Sequence, residues 1–295
     1  MAGRTRGYGC SADRPEKRTP TVPDRPPTTS RRPTALLRAA HIGPALAVTV
    51  IVGLLAMAAD LPLSRTVLVV AAVLTGQLSI GWSNDLVDLP RDRQVGRSDK
   101  PLARGEIGVG AVRTACAVAV VATIVLSFAC GLVAGCVQLV TVVAGWAYNL
   151  GLKSTAWSWL PYAVAFGALP IFVTLSQDPP AVPPPWVPLA GALLGVGAHL
   201  VNALPDFADD AATGVRGLPH RIGARWTPMA ATAVLVLASV VICVASGGDH
   251  PLLVAVSLVL VAGLAVIGLL GSGRTPFRAA MAIALVDVAL LAGVR

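Results

Sequence analysis

Charge is scarce in this chain. Only 13% of its 295 residues are Asp, Glu, Lys or Arg, where a soluble domain carries roughly a quarter, and this deficit excludes an ordinary soluble fold. Aromatic residues make up just 5%, so the 55% hydrophobic fraction is built mainly from Ala, Val and Leu, with Gly between them. Small residues let helices approach closely in lipid, where packing rather than the hydrophobic effect drives association. The five cysteines, Cys10, Cys116, Cys130, Cys136 and Cys243, form no metal-type cluster and no disulfide framework, and free thiols are expected. No signal peptide is expected from the N-terminal basic stretch, which is too long and too rich in proline for a short n-region.

What is present is apolar length. Mean hydropathy is +0.73, and runs near the ~20 residues that a helix needs to span a bilayer fall at 35–58, 64–84, 107–127, 130–149, 159–176, 186–205, 227–246, 251–270 and 277–294. The expected fold is therefore all-α, a polytopic membrane protein of about nine transmembrane helices. Residues 1–34, rich in Arg, Pro, Thr and Asp, form a separate basic tail expected to be disordered, and residues 35–295 form one membrane domain. The net charge of +8 reflects topology rather than nucleic-acid binding. Arg and Lys crowd the tail and alternate loops (Arg91, Arg93, Arg97, Lys100 and Arg104; Lys153; Arg216, Arg221 and Arg225; Arg274 and Arg278), while the opposite loops hold little beyond Arg65. The positive-inside rule then places the N-terminus and the basic loops in the cytoplasm of a multi-pass cell (inner or plasma) membrane protein, and the tail is available to anionic membrane lipid.

Two acidic clusters interrupt this pattern. Asn84, Asp85, Asp88 and Asp92 sit at the end of the second apolar run, and Asn202, Asp206, Asp209 and Asp210 at the end of the sixth. Asn84, Asp88 and Asp92 repeat at i, i+4, i+8, as do Asn202, Asp206 and Asp210, which places each set along one helical face. Pro90 is expected to bend or unwind the turn that carries Asp92. Carboxylates near a bilayer are costly and normally face a cavity or a partner. Brought together they need cations, and an all-oxygen donor set favours Mg²⁺ shared with substrate phosphate oxygens. Such a site binds a diphosphate and makes it a leaving group, with Arg91, Arg97, Lys100 and Lys153 close enough to add phosphate contacts. Solvated loop charges would account for one DxxxD. Two copies with matched Asn residues, on one side of the membrane, each followed by a Gly-and-Arg stretch, argue for a site.

These residues resemble the signatures of the UbiA superfamily of intramembrane prenyltransferases. NDLVDLPRDRQVGRSDKPLARG is similar to the first aspartate-rich motif, and NALPDFADDAATGVRGLPHRIG to the second. Tyr148-Asn149-Leu150-Gly151-Leu152-Lys153 resembles the YxxxK element between them. The resemblance covers nearly all of 35–294, with two departures: Ala203 where many members have an acid, and Lys100 where Arg is frequent. It implies a nine-helix bundle around a central cavity capped by cytoplasmic loops. Mg²⁺ would be held by Asn84, Asp85, Asp88, Asp92, Asp206 and Asp210. Lys153 would contact a prenyl diphosphate, Tyr148 would order the site, and Asn84, Arg97, Lys100 and Asn202 would bind substrate, with Asp88, Asp206, Lys153 and Tyr148 as the catalytic set. The second substrate would be an aromatic or other small lipophilic acceptor.

Other readings remain open at this point. The same ionisation could end in cyclisation to a terpene. A CDP-alcohol phosphotransferase would show one contiguous D-x₂-D-G-x₂-A-R pattern, which is absent. A transporter would place its polar residues nearer the midplane at broken helices. Among Trp82, Trp146, Trp157, Trp159, Tyr162, Phe166 and Phe172, one or two could face the cavity and the rest pack or anchor. His199 reads best as a hydrogen-bonded bundle histidine, and Asp287, alone in the last run, has no nameable partner.

Overall fold

The computed structural model describes residues 1, 3, 32–204, 207, 210, 214–245, 250–271 and 275–293. The tail expected over 1–34 lies almost wholly outside them, as do Asp206 and Asp209. All regular structure among the described residues is helical. A short α1 (Arg32–Ala39) leads into α2 (Ile42–Ala58), the two bent by 70° at His41, which takes the left-handed conformation (φ 52°). There follow α3 (Leu63–Gln94), α4 (Val109–Ala129), α5 (Leu132–Asn149), a 3₁₀ turn (Leu152–Ser154), α6 (Leu160–Leu175) and α7 (Trp186–Asn202). A one-turn α8 (Leu218–Ile222) precedes α9 (Thr227–Ala245), α10 (Pro251–Leu270) and α11 (Thr275–Gly293).

The chain is a multi-pass membrane protein. Five helices, α3, α4, α5, α9 and α10, are long and apolar enough to cross a bilayer, six if the bent α1–α2 pair is one span. The expected nine runs each coincide with a helix or with that pair, but α6 and α7 are shorter, at 16 and 17 residues, and α11, at 19, is not among the spans. Length and composition thus account for fewer crossings than nine. Cys116, Cys130 and Cys136 are free thiols as expected. Asp287, 0% exposed on α11, does have a partner, the Ser239 hydroxyl of α9 at 2.5 Å.

The helix that matters most is α3. Its 32 residues rise about 48 Å at 1.5 Å each, more than the ~30 Å of hydrocarbon, and the first acidic cluster lies on its last three turns. Pro90 does not unwind the turn that carries Asp92: the helix continues to Gln94. Proline removes one N–H bond and crowds the carbonyl four residues back, a cost that one exposed position near the helix end, Pro90, tolerates.

Close backbone approach sets the remaining geometry. A Cβ at Gly81 would lie 2.0 Å from the carbonyl oxygen of Ala40, so the α1–α2 bend rests directly on α3. A Cβ at Gly195 would lie 2.4 Å from the Tyr162 carbonyl, which fixes α7 against α6. Above the bend, Leu102 and Ile107 from the 95–108 loop are buried with Ala35, Ala39, Ala40 and Trp82 in an apolar cluster separate from the main core, and Trp82 Nε1 donates to Leu36 O at 3.0 Å. Gly81→Ala is expected to force the bend off α3 and cost about 1–3 kcal/mol. Thermal unfolding in detergent, followed by circular dichroism, should show the loss, and an unchanged melting curve would mean that the contact yields freely.

Candidate active site

A cavity of about 440 Å³ opens at the end of the bundle where α3, α5 and α7 finish. Its deeper walls are apolar, from Ala45, Val48, Ile80, Ala165 and Phe166, with Gln77 and Thr141 as polar exceptions. Its mouth is charged. Asn84, Asp88, Arg91, Arg97, Lys100, Tyr148, Lys153, Asn202 and Asp210 all line it. Three separate stretches of sequence are therefore brought to one place, as the motifs led one to expect.

Asp88 is the centre of the first cluster. Lys153 Nζ donates to both of its oxygens, at 2.5 and 2.7 Å, and Asn84 Nδ2 donates to Oδ2 at 3.1 Å. Asn84 is itself oriented by Asn149, whose Oδ1 lies 3.3 Å from the same amide nitrogen. Asn149 Nδ2 is in turn fixed on α3 by Ile80 O (2.9 Å) and Ser83 Oγ (2.8 Å). Sequence reasoning passed over Asn149, although it adjoins Tyr148 in the YxxxK element. Arg91 bridges the clusters: its guanidinium lies 3.6 Å from Asp88, 3.9 Å from Asp92 and 3.7 Å from Asp210. His220 Nε2 approaches Asp210 at 3.8 Å, and its ring stacks on Phe207.

The second cluster does not continue α7 as one helical stripe. That helix ends at Asn202, with a turn and a bend at 203–204, so Asp210 reaches the mouth from beyond the helix. Tyr162 is hydrogen-bonded to the Asn202 side chain and packs edge-on against Tyr148, with ring centroids 5.3 Å apart. Of the aromatic candidates, Tyr162 and Phe166 face the cavity, whereas Phe172 is core and Trp157 is 60% exposed.

Asp85 departs from expectation. One residue on from Asn84, it points about 100° around the helix and does not line the cavity. It is 1% exposed and accepts from Lys100 Nζ at 2.6 Å, with His41 Nε2 at 2.9 Å. His41 Nε2 also lies 2.7 Å from Lys100 Nζ. Asp85 thus serves as the anchor of Lys100 and of the bend residue His41, a cavity-lining side chain that belongs to none of the sequence motifs. Arg97 is held by a two-pronged pair with Asp99, both contacts at 2.9 Å, and that hydrogen bonding holds the Asp99 carboxyl down at about 2. Asp92, 2% exposed, stands behind the mouth with Oδ1 lacking a hydrogen-bond partner.

Among the described residues no three His, Cys, Asp or Glu side chains form a metal cage by themselves. The carboxylates at the mouth, Asp88 and Asp210, with Asp92 Oδ1 behind them, offer only oxygen, and Asn84 brings one more oxygen, Oδ1, which accepts from Lys100 Nζ at 3.3 Å. They suit a hard cation that keeps waters and takes further ligands from phosphate, so the residues fit Mg²⁺.

The model of the UbiA prenyltransferase family matches residues 45–286. No curated protein sequence matches significantly. Among solved structures, a UbiA homologue from Archaeoglobus fulgidus bound to GPP and Mg²⁺ is similar, with a TM-score of 0.66 at 16% identity over 88% of this chain and 99% of that one. An apo UbiA homologue from Aeropyrum pernix K1 gives 0.65 at 14% identity over 88% and 97%. A digeranylgeranylglyceryl phosphate synthase gives 0.65 at 17% identity over 88% and 96%. At these identities the likeness concerns the fold.

Proposed function

The chain belongs to the UbiA prenyltransferase family, and on that premise we propose that it transfers a prenyl group from a prenyl diphosphate to an aromatic or other nucleophilic, lipophilic acceptor within the membrane, using Mg²⁺. The observation that carries this reading is the pairing of a charged mouth with an apolar interior. Asp88 with Lys153 and Asp210 with Arg91 stand at the entrance of a cavity walled by Val48, Ile80 and Phe166. An amphipathic donor with a diphosphate head and an isoprenoid tail matches that polarity.

Asn84, Asp88, Asp92, Asp206 and Asp210 would hold the metal. When bound, Mg²⁺ neutralises the diphosphate and improves it as a leaving group. Lys153, Arg91, Arg97 and Lys100 supply cationic donors to the phosphate oxygens, Lys153 by turning from Asp88. Tyr148 and the Tyr162–Asn202 pair hold that wall of the mouth rigid. The bond broken is the C1–O bond of the donor, and its electron pair leaves with diphosphate. The new bond forms between C1 and an electron-rich carbon or oxygen of the acceptor, which then loses a proton. The apolar walls hold the tail and keep water from the allylic carbon. Loop charge supports a mouth on the cytoplasmic side of the cell membrane.

Purified protein in detergent, given geranyl, farnesyl or geranylgeranyl diphosphate with a panel of phenolic acids and quinone precursors, should release diphosphate. Chelation of Mg²⁺ should bring release to background, and added Mg²⁺ should restore it. Mass analysis of the organic product separates transfer from cyclisation. Absence of both turnover and binding with every donor would overturn the reading.

A further inference from the structure

Behind the lining of the mouth, two cap segments meet. Residues 214–218 lead from the second acidic cluster to α8. Val215 lines the cavity, and its N–H donates to Asp210 O at 2.9 Å. Two residues on, the segment lies against the turn that carries Lys153: a Cβ at Gly217 would come within 2.6 Å of the Lys153 carbonyl oxygen and 2.9 Å of Ser158 Oγ. Ser158 Oγ accepts the Leu218 N–H at 2.8 Å and lies 3.0 Å from His199 Nε2. Ser158 is 0% exposed and His199 2%.

The hydroxyl has two lone pairs and one proton. With Leu218 N–H on one lone pair, the proton is available to His199 Nε2, or His199 donates to the second lone pair. In either case Nδ1 is buried without a hydrogen-bond partner, so the Ser158 bond is what fixes the imidazole. The ring is further held by Tyr162 at 4.9 Å and Tyr148 at 5.8 Å between centroids. One buried hydroxyl thus ties together the Lys153 turn, the segment beyond Asp210 and α7. Neither Ser158 nor His199 lines the cavity, so neither is placed to touch substrate.

We propose that Ser158 and His199 are positioning residues: they clamp 214–218 onto the Lys153 turn, so that the segment tied to Asp210 and the Lys153 ammonium take their places together. Only the kinetic part of its test rests on the function proposed above. The clamp is tested by hydrogen exchange on the full chain in detergent, with Ser158→Ala, His199→Leu and His199→Gln, whose amide can reach the position of Nε2. Ser158→Ala and His199→Leu should speed exchange of the Leu218 amide and of the 152–155 turn together by about tenfold, the scale of one buried hydrogen bond. The KM for geranyl diphosphate should rise by a similar factor, with kcat and the melting temperature changing far less. His199→Gln should recover most of both effects. Unchanged Leu218 exchange in Ser158→Ala would overturn the clamp. So would faster exchange confined to 214–218, or a melting temperature that falls in step with KM, which would mark a merely structural role. If the wild type turns over no prenyl diphosphate, the functional reading falls and the exchange data alone decide the clamp.

Discussion

Asp88→Asn is expected to lower Mg²⁺-dependent diphosphate release by about 10³-fold, the scale of removing one preorganised electrostatic contact from a reacting centre. The carboxylate is 7% exposed, at the mouth of the cavity, and Lys153 and Asn84 both direct their donors at it. The amide keeps its shape and removes its charge, so the site loses a proposed metal ligand without losing volume. Steady-state release assays and Mg²⁺ titration of prenyl diphosphate binding would check this. Asp85→Asn is the contrast. Its carboxylate faces Lys100 and His41, so the main cost should be stability, about 3 kcal/mol for leaving a buried ammonium without its partner, with a smaller effect on turnover at matched folding. Equal losses of Mg²⁺ affinity in the two variants would restore Asp85 as a ligand.

Lys153→Met should separate diphosphate from metal. The ammonium holds both oxygens of Asp88, and in the proposed reaction it contacts the diphosphate. Removing it should weaken prenyl diphosphate binding by about 30-fold, or about 2 kcal/mol, as expected for one hydrogen bond to a charged group. The same change relieves Asp88 of its competitor, so Mg²⁺ alone should bind more tightly than to wild type. Calorimetry with Mg²⁺ alone and then with geranyl diphosphate would read the two effects separately. Both affinities falling together would contradict this division of roles and indicate a collapsed site.

The helical period explains which acids of the first cluster line the cavity. Asn84 and Asp88 are four residues apart, about 40° around the helix, and both line the cavity. Asp92, four further on, has drifted about 80° from Asn84 and lies behind the mouth, and Asp85, about 100° away, faces another partner. An i, i+4, i+8 pattern names a stripe, but the stripe turns, and the cavity meets only part of it. The run at 64–84 was legible as apolar, but the helix that contains it extends ten residues further through Pro90, because hydropathy ends where lipid ends and the backbone hydrogen-bond ladder does not.

The sequence by itself determined the membrane class, the helical composition, the two acidic clusters and the lysine element that meet at the site. These depend on local properties: apolar length, loop charge and residue spacing along one helix. Only the tertiary structure decided that Asn149 orients Asn84, that Arg91 joins the two clusters, that Asp85 anchors His41 and Lys100, and that Ser158 ties 214–218 to His199. Those contacts join residues as many as 119 positions apart, as Arg91 and Asp210 are. Their geometry is set by how closely α3, α5, α6 and α7 pack, which no local pattern encodes.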